Sequence, residues 1–467
     1  MINIEIPNNY ENEHRYILSV MFREFLGLDI QIQVSDRKGV LITQNDYRQL
    51  FIADGLFNIP SEQWLQPVSL PQQPLKVWDL ASTPLRVTTV KPQLPVIYGN
   101  EPGDPDFFRQ SEEQIYLGLD IFGSAFFMLT RYEEVIKPER DQHDRFPATA
   151  SLAYQEGFLD RPIINEYLEI LWACLKHLWP GLKRKPRQFQ TYISHDVDQP
   201  FKYAFAGISN LVKQCGGHLI KRRNPGQVLN TISQWTQVKA GNSNSDPCNT
   251  FDMIMDISEK HNLKSAFYLI TDHSAGTIDG DYSIDHPLIR GLLRKIHQRG
   301  HEIGLHTSYN TYKDPAQTKR EFEILKQVCA EEGIQQKYWG GRQHFLRWKT
   351  PNTFNNWENA GLDYDSTLSF PDVAGFRCGV CYEFSTFDIK SRQPLKLRER
   401  PLIVMECTVI DQRYMNLGLD GDAALQTMAK YKQRCQIFNG DFTLLWHNSR
   451  FVDQHEILLY TELISLL

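Results

Sequence analysis

From residue 189 to the C-terminus, short strand-like apolar runs alternate with segments of helical period, and this alternation limits the possible folds more than any other feature. FQTYIS (189–194), SAFYLI (265–270), HEIGLH (301–306), a segment near 337–341, LDYDSTL (362–368), LIVMECTVI (402–410) and FTLLWH (442–447) read as strands. Helical patterns fall between them, at 251–261, 289–296, from about 351, and at 422–437, with a last amphipathic helix at the C-terminus. Asp314 and Pro315 supply an N-cap and first-turn residue for a helix reaching about Glu332, with Gly333 behind it. Strands alternating with helices predict a parallel sheet with helices outside, and about seven such units suit a closed or nearly closed β/α barrel. No internal repeat is visible.

The preceding part, residues 1–185, reads as a mixed α/β domain. Leu18, Met21, Phe22 and Phe25 recur at helical spacing before Gly27, and alternating runs at 29–34 and 39–43 follow as strands. Residues 66–97 are proline-rich and extended, and helical patterns return at 115–129 and 163–179. No cluster of nucleophile, acid–base pair or metal ligands stands out, so a structural or substrate-guiding role is expected. Basic GLKRKPRQ (181–188) reads as the linker to a second domain spanning 188–467, within which 202–249 is a long polar insertion.

Composition is that of a soluble globular protein of 467 residues, 41% hydrophobic and 23% charged. A net charge of -6 gives no reason to expect nucleic acid or an anionic membrane as partner. The polar, acidic N-terminus lacks a signal-peptide pattern, and no apolar run reaches the roughly 18 residues of a spanning helix, so the cytoplasm is the expected location. The eight cysteines are scattered, and the single CxxC, Cys378 and Cys381, has no second pair to complete a structural zinc site. Neither GxxxxGK[ST] nor a strand-following GxGxxG occurs.

In β/α barrels catalytic side chains gather at the C-terminal ends of strands. His195, Asp196 and Asp198 stand at the end of the first strand, His306 ends HEIGLH, Arg342 follows YWGG, Asp363 and Asp365 lie in LDYDST, and His447 ends FTLLW. Any one of these could be a hydrogen-bonded structural residue or a turn residue. Five strand ends carrying such groups together suggest a site. In extended chain, residues i and i+2 share a face, so Asp196 and Asp198 point together while His195 and Val197 point away. Two adjacent carboxylates repel unless a cation or proton separates them, which suggests one metal ligand and one free base. His306 is the better ligand of its strand, and His301 is structural.

ISHDVD, GHEIGLHTSYN, GGRQHFLRW, LDYDSTL and LLWH resemble, in that order, the five motifs of the NodB homology domain, which defines the polysaccharide deacetylases of carbohydrate esterase family 4. LDIFGSAFFMLTRYEE (119–134) resembles the uncharacterised domain that precedes such catalytic domains in a bacterial subgroup. The resemblance implies a distorted (β/α) barrel and assigns roles. Asp196 is the catalytic base and Asp198 a metal ligand, with exchange left open because the pair is DxD rather than DD. His306 is a second ligand. Asn310 stands where the H-[ST]-x-x-H pattern has its second histidine. Arg342 holds the base, Asp365 (or Asp363) belongs to the fourth motif, and His447 is the general acid, steadied by Asp365.

The implied cofactor is a divalent metal, zinc first, with other ions open because an amide oxygen suits zinc less than imidazole does. The implied reaction is metal-assisted hydrolysis of an N-acetyl group on a carbohydrate. Tyr309, Trp339, Trp348 and Trp446 could stack on sugar or simply fill the core. Basic KRR (221–223) could attract an acidic glycan or be a solvated helix face, and DGDY (279–282) could line the cleft or form a turn. A catalytically silent glycan-binding protein, favoured by Asn310, and a hydrolase of a non-sugar C–N bond are the competing readings.

Overall fold

A computed structural model describes the chain except for residues 101, 102, 104–106, 221–223 and 467; the KRR segment therefore lies outside the described residues. In the N-terminal part the strands are β1 (Ile2–Pro7), β2 (Ile30–Ser35), β3 (Val40–Thr43), β4 (Gln49–Ile52), β5 (Lys76–Asp79), β6 (Gln93–Val96), β7 (Phe108–Gln110) and β8 (Gln114–Leu117). Six of them form a mixed sheet in the order β2-β1-β3-β4-β8-β7, and β5 pairs with β6 apart from it. Ile2, Ile4 and Ile6 alternate into the core along β1, which pairs in parallel with β2. The crossover between these two is the helix anticipated around Leu18. It runs as Glu11–Leu18, widens to π-helical turns over Ser19–Leu26, and ends on Gly27 at φ 68°. The segment 115–129 does not form one helix. β8 occupies its start, and Asp120 then caps the helix Ile121–Leu129 by accepting from the Gly123 N–H.

The second sheet contains β9 (Gln190–Val197), β10 (Ser265–Leu269), β11 (Glu302–Thr307), β12 (Gly340–Gln343), β13 (Tyr364–Asp365), β14 (Phe384–Asp388), β15 (Gln393–Glu399), β16 (Val404–Met405) and β17 (Asp441–Leu445). Their order is β14-β15-β13-β12-β11-β10-β9-β17-β16, with every neighbouring pair parallel except β14 against β15. Among the described residues β14 and β16 are not paired to each other, so the parallel sheet is an open one rather than a closed barrel. LIVMECTVI is not one strand: β16 is only Val404–Met405, and Glu406–Ile410 turns helical. The long insertion contains two helices, Ile208–Ile220 and Pro225–Lys239. Asp314 caps the helix Pro315–Glu331 through the Gln317 N–H, as its sequence predicts.

Glycines let the middle strands approach closely. A Cβ on Gly341 would fall inside contact distance of the Leu305 carbonyl, and one on Gly340 would strike the Tyr364 ring. These two residues bring β12 against β11 and β13 and so set the position of Arg342. One continuous cluster of buried side chains runs from Ile4 and Phe126 under the first sheet to Phe387, Leu305 and Leu444 in the second. No helix among the described residues is long and apolar enough to cross a membrane.

Candidate active site

The C-terminal ends of β9, β11, β12, β16 and β17 converge on a pocket of about 150 Å³ whose lining includes Asp196, Asp198, His306, His344, Cys407 and His447. Asp196 and Asp198 enter it from the end of β9. His195, between the strand face and the core, turns away: its Nδ1 meets the Trp446 carbonyl at 2.6 Å and its Nε2 the Ser265 hydroxyl at 3.2 Å, and burial pushes its pKa down to about 4. His301 likewise serves structure, its Nδ1 accepting from the Ser265 N–H.

Asp196 is almost fully buried and its Oδ1 lies 2.7 Å from Arg342 Nη1. The guanidinium is itself fixed by the Ser366 carbonyl at 2.8 Å and stacks near the Tyr268 ring. The guanidinium is thus the paired countercharge of this buried carboxyl group.

Asp198 faces three imidazoles. Its Oδ1 is 3.2 Å from His306 Nε2 and 3.6 Å from His344 Nε2, and its Oδ2 is 3.7 Å from His447 Nε2. Burial alone would raise its pKa, but His344, His306 and His447 outweigh that and hold it well below the usual carboxylate range. The other ring nitrogen of each ligand-like histidine is already committed. His306 Nδ1 donates to the Arg342 carbonyl at 2.9 Å, and His344 Nδ1 donates to Asp279 Oδ1 at 2.9 Å. In its neutral form each ring would then present an Nε2 lone pair toward Asp198. Asp198 Oδ1 is buried and has no hydrogen-bond partner, so a proton or a cation belongs between these atoms. Asp198, His306 and His344 offer ligand atoms within 4.8 Å of one another, which fits a divalent ion.

Asn310 does not join this group. It is exposed, its Nδ2 donates to the Ser274 carbonyl at 3.0 Å, and its Oδ1 accepts from Arg347 at 3.3 Å. The short helical turn Thr311–Lys313 begins right after it and carries the chain away, and His344 from the end of β12 stands in the cluster instead. A signal for His344 was present, since it lies two residues beyond Arg342 at a strand end. Asp279, in the DGDY segment, is the buried carboxylate that orients it, and also accepts from the Tyr309 and Ala275 N–H groups.

His447 is not paired with Asp365. Its Nδ1 lies 2.5 Å from Glu406 Oε1, and its backbone N–H donates to the same oxygen at 3.0 Å. Burial would lower its pKa, but the Glu406 carboxylate outweighs this and raises it well above the ordinary imidazole value. Glu406 sits where β16 ends, in a run that reads as continuous apolar strand. Asp365 lies on the far side of Arg342, facing Glu399 across β13 and β15, and accepts from the Thr367 hydroxyl. Asp363 accepts from the Trp339 N–H in a turn. Trp348 and Trp446 are buried in the core.

The N-terminal part also reaches the pocket. Arg145 lines it and donates at 2.8 Å to the carbonyl of Phe345, the residue after His344. Phe345 and Leu346 hold φ of 60° and 54°, a left-handed pair that costs on the order of 1–3 kcal/mol per residue unless the surroundings fix it. Arg347 donates back to the His143 carbonyl at 2.8 Å, and the His143 ring meets the Tyr309 hydroxyl at 2.9 Å.

Residues 244–358, which include His306, Arg342 and His344, match the polysaccharide deacetylase family, and residues 2–180 match a family of unknown function (DUF7033). No curated protein matches the chain. Among solved structures, a protein from Mycobacterium smegmatis assigned to the polysaccharide deacetylases is similar at 14% identity and TM-score 0.39, over 60% of this chain and 84% of that one. A Pseudomonas aeruginosa PAO1 protein of the same assignment is similar at 13% identity and TM-score 0.33, over 67% of this chain and 90% of its own. The allantoinase PuuE is similar at 11% identity and TM-score 0.33, over 61% and 85%. The family matches thus divide the chain into a DUF7033 region, residues 2–180, followed by a segment, residues 244–358, that is similar to the polysaccharide deacetylases.

Proposed function

We propose that the chain hydrolyses an N-acetyl group on a sugar or polysaccharide with the help of a divalent metal, zinc first, held by Asp198, His306 and His344. The observation that carries this reading is the grouping of those three ligand atoms between an arginine-held carboxylate, Asp196, and a glutamate-held imidazole, His447. A divalent ion in this place supplies a Lewis acid that polarises an acyl oxygen and makes nearby water more acidic. Asp196, paired with Arg342, takes the proton from the attacking water. His447, kept protonated by Glu406, returns a proton to the departing amine. His306 Nε2 lies nearer Asp198 than Asp196, 3.2 Å against 3.7 Å, His344 meets Asp198, and Arg342 meets Asp196, which favours base for Asp196 and ligand for Asp198 over the exchanged roles. A pocket of about 150 Å³ suits a short acyl group with its amide, leaving the sugar outside at the mouth. The silent glycan-binding reading drew on Asn310, and with His344 available as the third donor that residue no longer favours it.

Metal titration of single variants, alongside acetate release from N-acetylated chito-oligosaccharides, tests the reading. His344→Ala and His306→Ala are expected to lose stoichiometric metal and turnover together, whereas Asn310→Ala keeps both. His447→Ala is expected to keep the metal and lose about 10²–10⁴-fold in rate. Metal loss in Asn310→Ala with retention in His344→Ala would overturn the ligand set, and full activity in Asp196→Asn would overturn the site.

A further inference from the structure

The insertion that leaves β9 directly after Asp198 builds a packed pair of helices, Ile208–Ile220 and Pro225–Lys239. On the first, Ile208, Val212 and Leu219 are 68%, 66% and 55% exposed. Their spacings of four and seven residues put them on one face. A surface helix ordinarily turns such a stripe to the core, yet none of the 13 residues of this helix is buried. Leu229 on the second helix is also exposed, at 72%.

Charge identifies the partner. From Gln199 to Ser245 the sequence carries six Lys and Arg and neither Asp nor Glu, in a chain whose net charge is -6. The overall acidity thus hides a basic stretch of sequence; of its six cations Lys202, Lys213 and Lys239 lie among the described residues, and Lys213 is on the striped helix itself. A second copy of the chain meeting this face would bring like charge against like charge. An anionic lipid surface satisfies both features at once, with apolar side chains entering the headgroup boundary and lysines meeting phosphates.

The feet of the helix pair are tied to the rim of the catalytic pocket. Asp246 accepts from the Lys202 and Tyr203 N–H groups at 2.7 Å, and Asn448, next to His447, donates to the Gln199 and Cys248 carbonyls. We propose that this helical pair docks the protein on an anionic bilayer. Resting on the deacetylase reading above, the substrate class that follows is an N-acylated sugar carried at a lipid surface, presented to the mouth beside the docked helices.

Co-sedimentation of the full chain with vesicles of phosphatidylcholine, with and without phosphatidylglycerol, tests docking without any substrate. Binding is expected only to the phosphatidylglycerol vesicles and is expected to weaken with added salt. Lys213→Gln should lower partitioning roughly five-fold, the typical effect of one basic residue near such a surface. Val212→Ser with Leu219→Ser should abolish binding while the melting temperature and the turnover of a water-soluble substrate stay unchanged. The proposal is overturned if phosphatidylglycerol vesicles bind no better than neutral ones, if the double variant binds as the wild type does, or if that variant instead converts a dimer to a monomer. Docking by a protein that proves inactive on acyl sugars leaves the inference standing, and failure to dock leaves the deacetylase reading standing.

Discussion

Among its neighbours, Glu406 does most to keep His447 protonated. Glu406 is buried, holds the Nδ1 proton at 2.5 Å, and opposes a desolvation that would otherwise deprotonate the ring. In Glu406→Gln the acid is expected to lose its proton at lower pH, so the alkaline limb of the rate profile moves down by roughly 1–3 units while metal content is unchanged. An unmoved limb would mean that Glu406 does not tune the acid. A second carboxylate pair behaves in the opposite sense. Asp365 and Glu399 face each other in register across parallel strands, fully buried, and burial pushes Asp365 up to about 7 and Glu399 well above its ordinary value. Because the folded state binds these protons more tightly than the unfolded chain, the pair stabilises the fold most below the unfolded carboxylate values near about 4. That stability is lost as pH rises through the folded value. Glu399→Gln mimics the protonated form. Its melting temperature is expected to exceed the wild type's above pH 7, by roughly 2–4 °C per kcal/mol of repulsion removed, with the gap closing under acid. Strand-end position made Asp196, Asp198, His306, Arg342 and His447 readable in the sequence. It could not say which acid meets which base; the family resemblance joined His447 to Asp365, whereas the structure pairs it with Glu406.

At the level of elements, the loop that carries His344 is clamped from outside its own sheet. Arg145 pairs with Asp141 at 2.7 Å and reaches the Phe345 carbonyl, fixing two consecutive left-handed residues. Arg145→Met keeps the stem and removes the donor. Calorimetric metal titration is expected to show roughly 10–100-fold weaker binding, the usual loss when support behind a ligand is removed, with an unchanged circular dichroism spectrum; unaltered affinity would refute the clamp. Elements were legible where a cap or a clean period marked them, as with Asp314 ahead of the helix Pro315–Glu331. They were misread where two types abut without an apolar break. Only Gly118, Leu119 and Asp120 separate QIYL from IFGSAFFML, and the signal dividing them was the N-cap residue Asp120. In LIVMECTVI the apolar run hides the turn at Glu406, and in the insertion Gly216 and Gly217 obscure a helical stripe.

Across the whole molecule, the exposed basic linker near 181–188 marks where the chain passes between sheets, but the core does not part there. Hydrophobic period reports which face of an element is buried and not which distant element covers it, so the joint between the two sheets left no trace in the sequence pattern. That joint is polar as well as apolar. Glu134 accepts from Arg377 Nη2 at 2.6 Å and from Arg131 Nε at 2.8 Å, and all three side chains are at most 2% exposed. Burial would raise the Glu134 pKa, but Arg377 and Arg131 outweigh it and hold the carboxylate ionised. Neutralising Glu134 leaves Arg377 and Arg131 buried with less than their compensating charge, the situation that costs about 3–5 kcal/mol when one partner of a buried pair is removed. Glu134→Gln is therefore expected to lower unfolding stability in urea by about that amount, although Glu134 lies far in sequence from every proposed catalytic residue. Arg377→Met in the same background is expected to recover part of the loss, because the orphaned charge goes with it. If instead the double variant lost as much as both single changes summed, the two residues would not act as a pair, and the joint would rest on apolar packing and its other polar contacts, such as Arg145 with the Phe345 carbonyl.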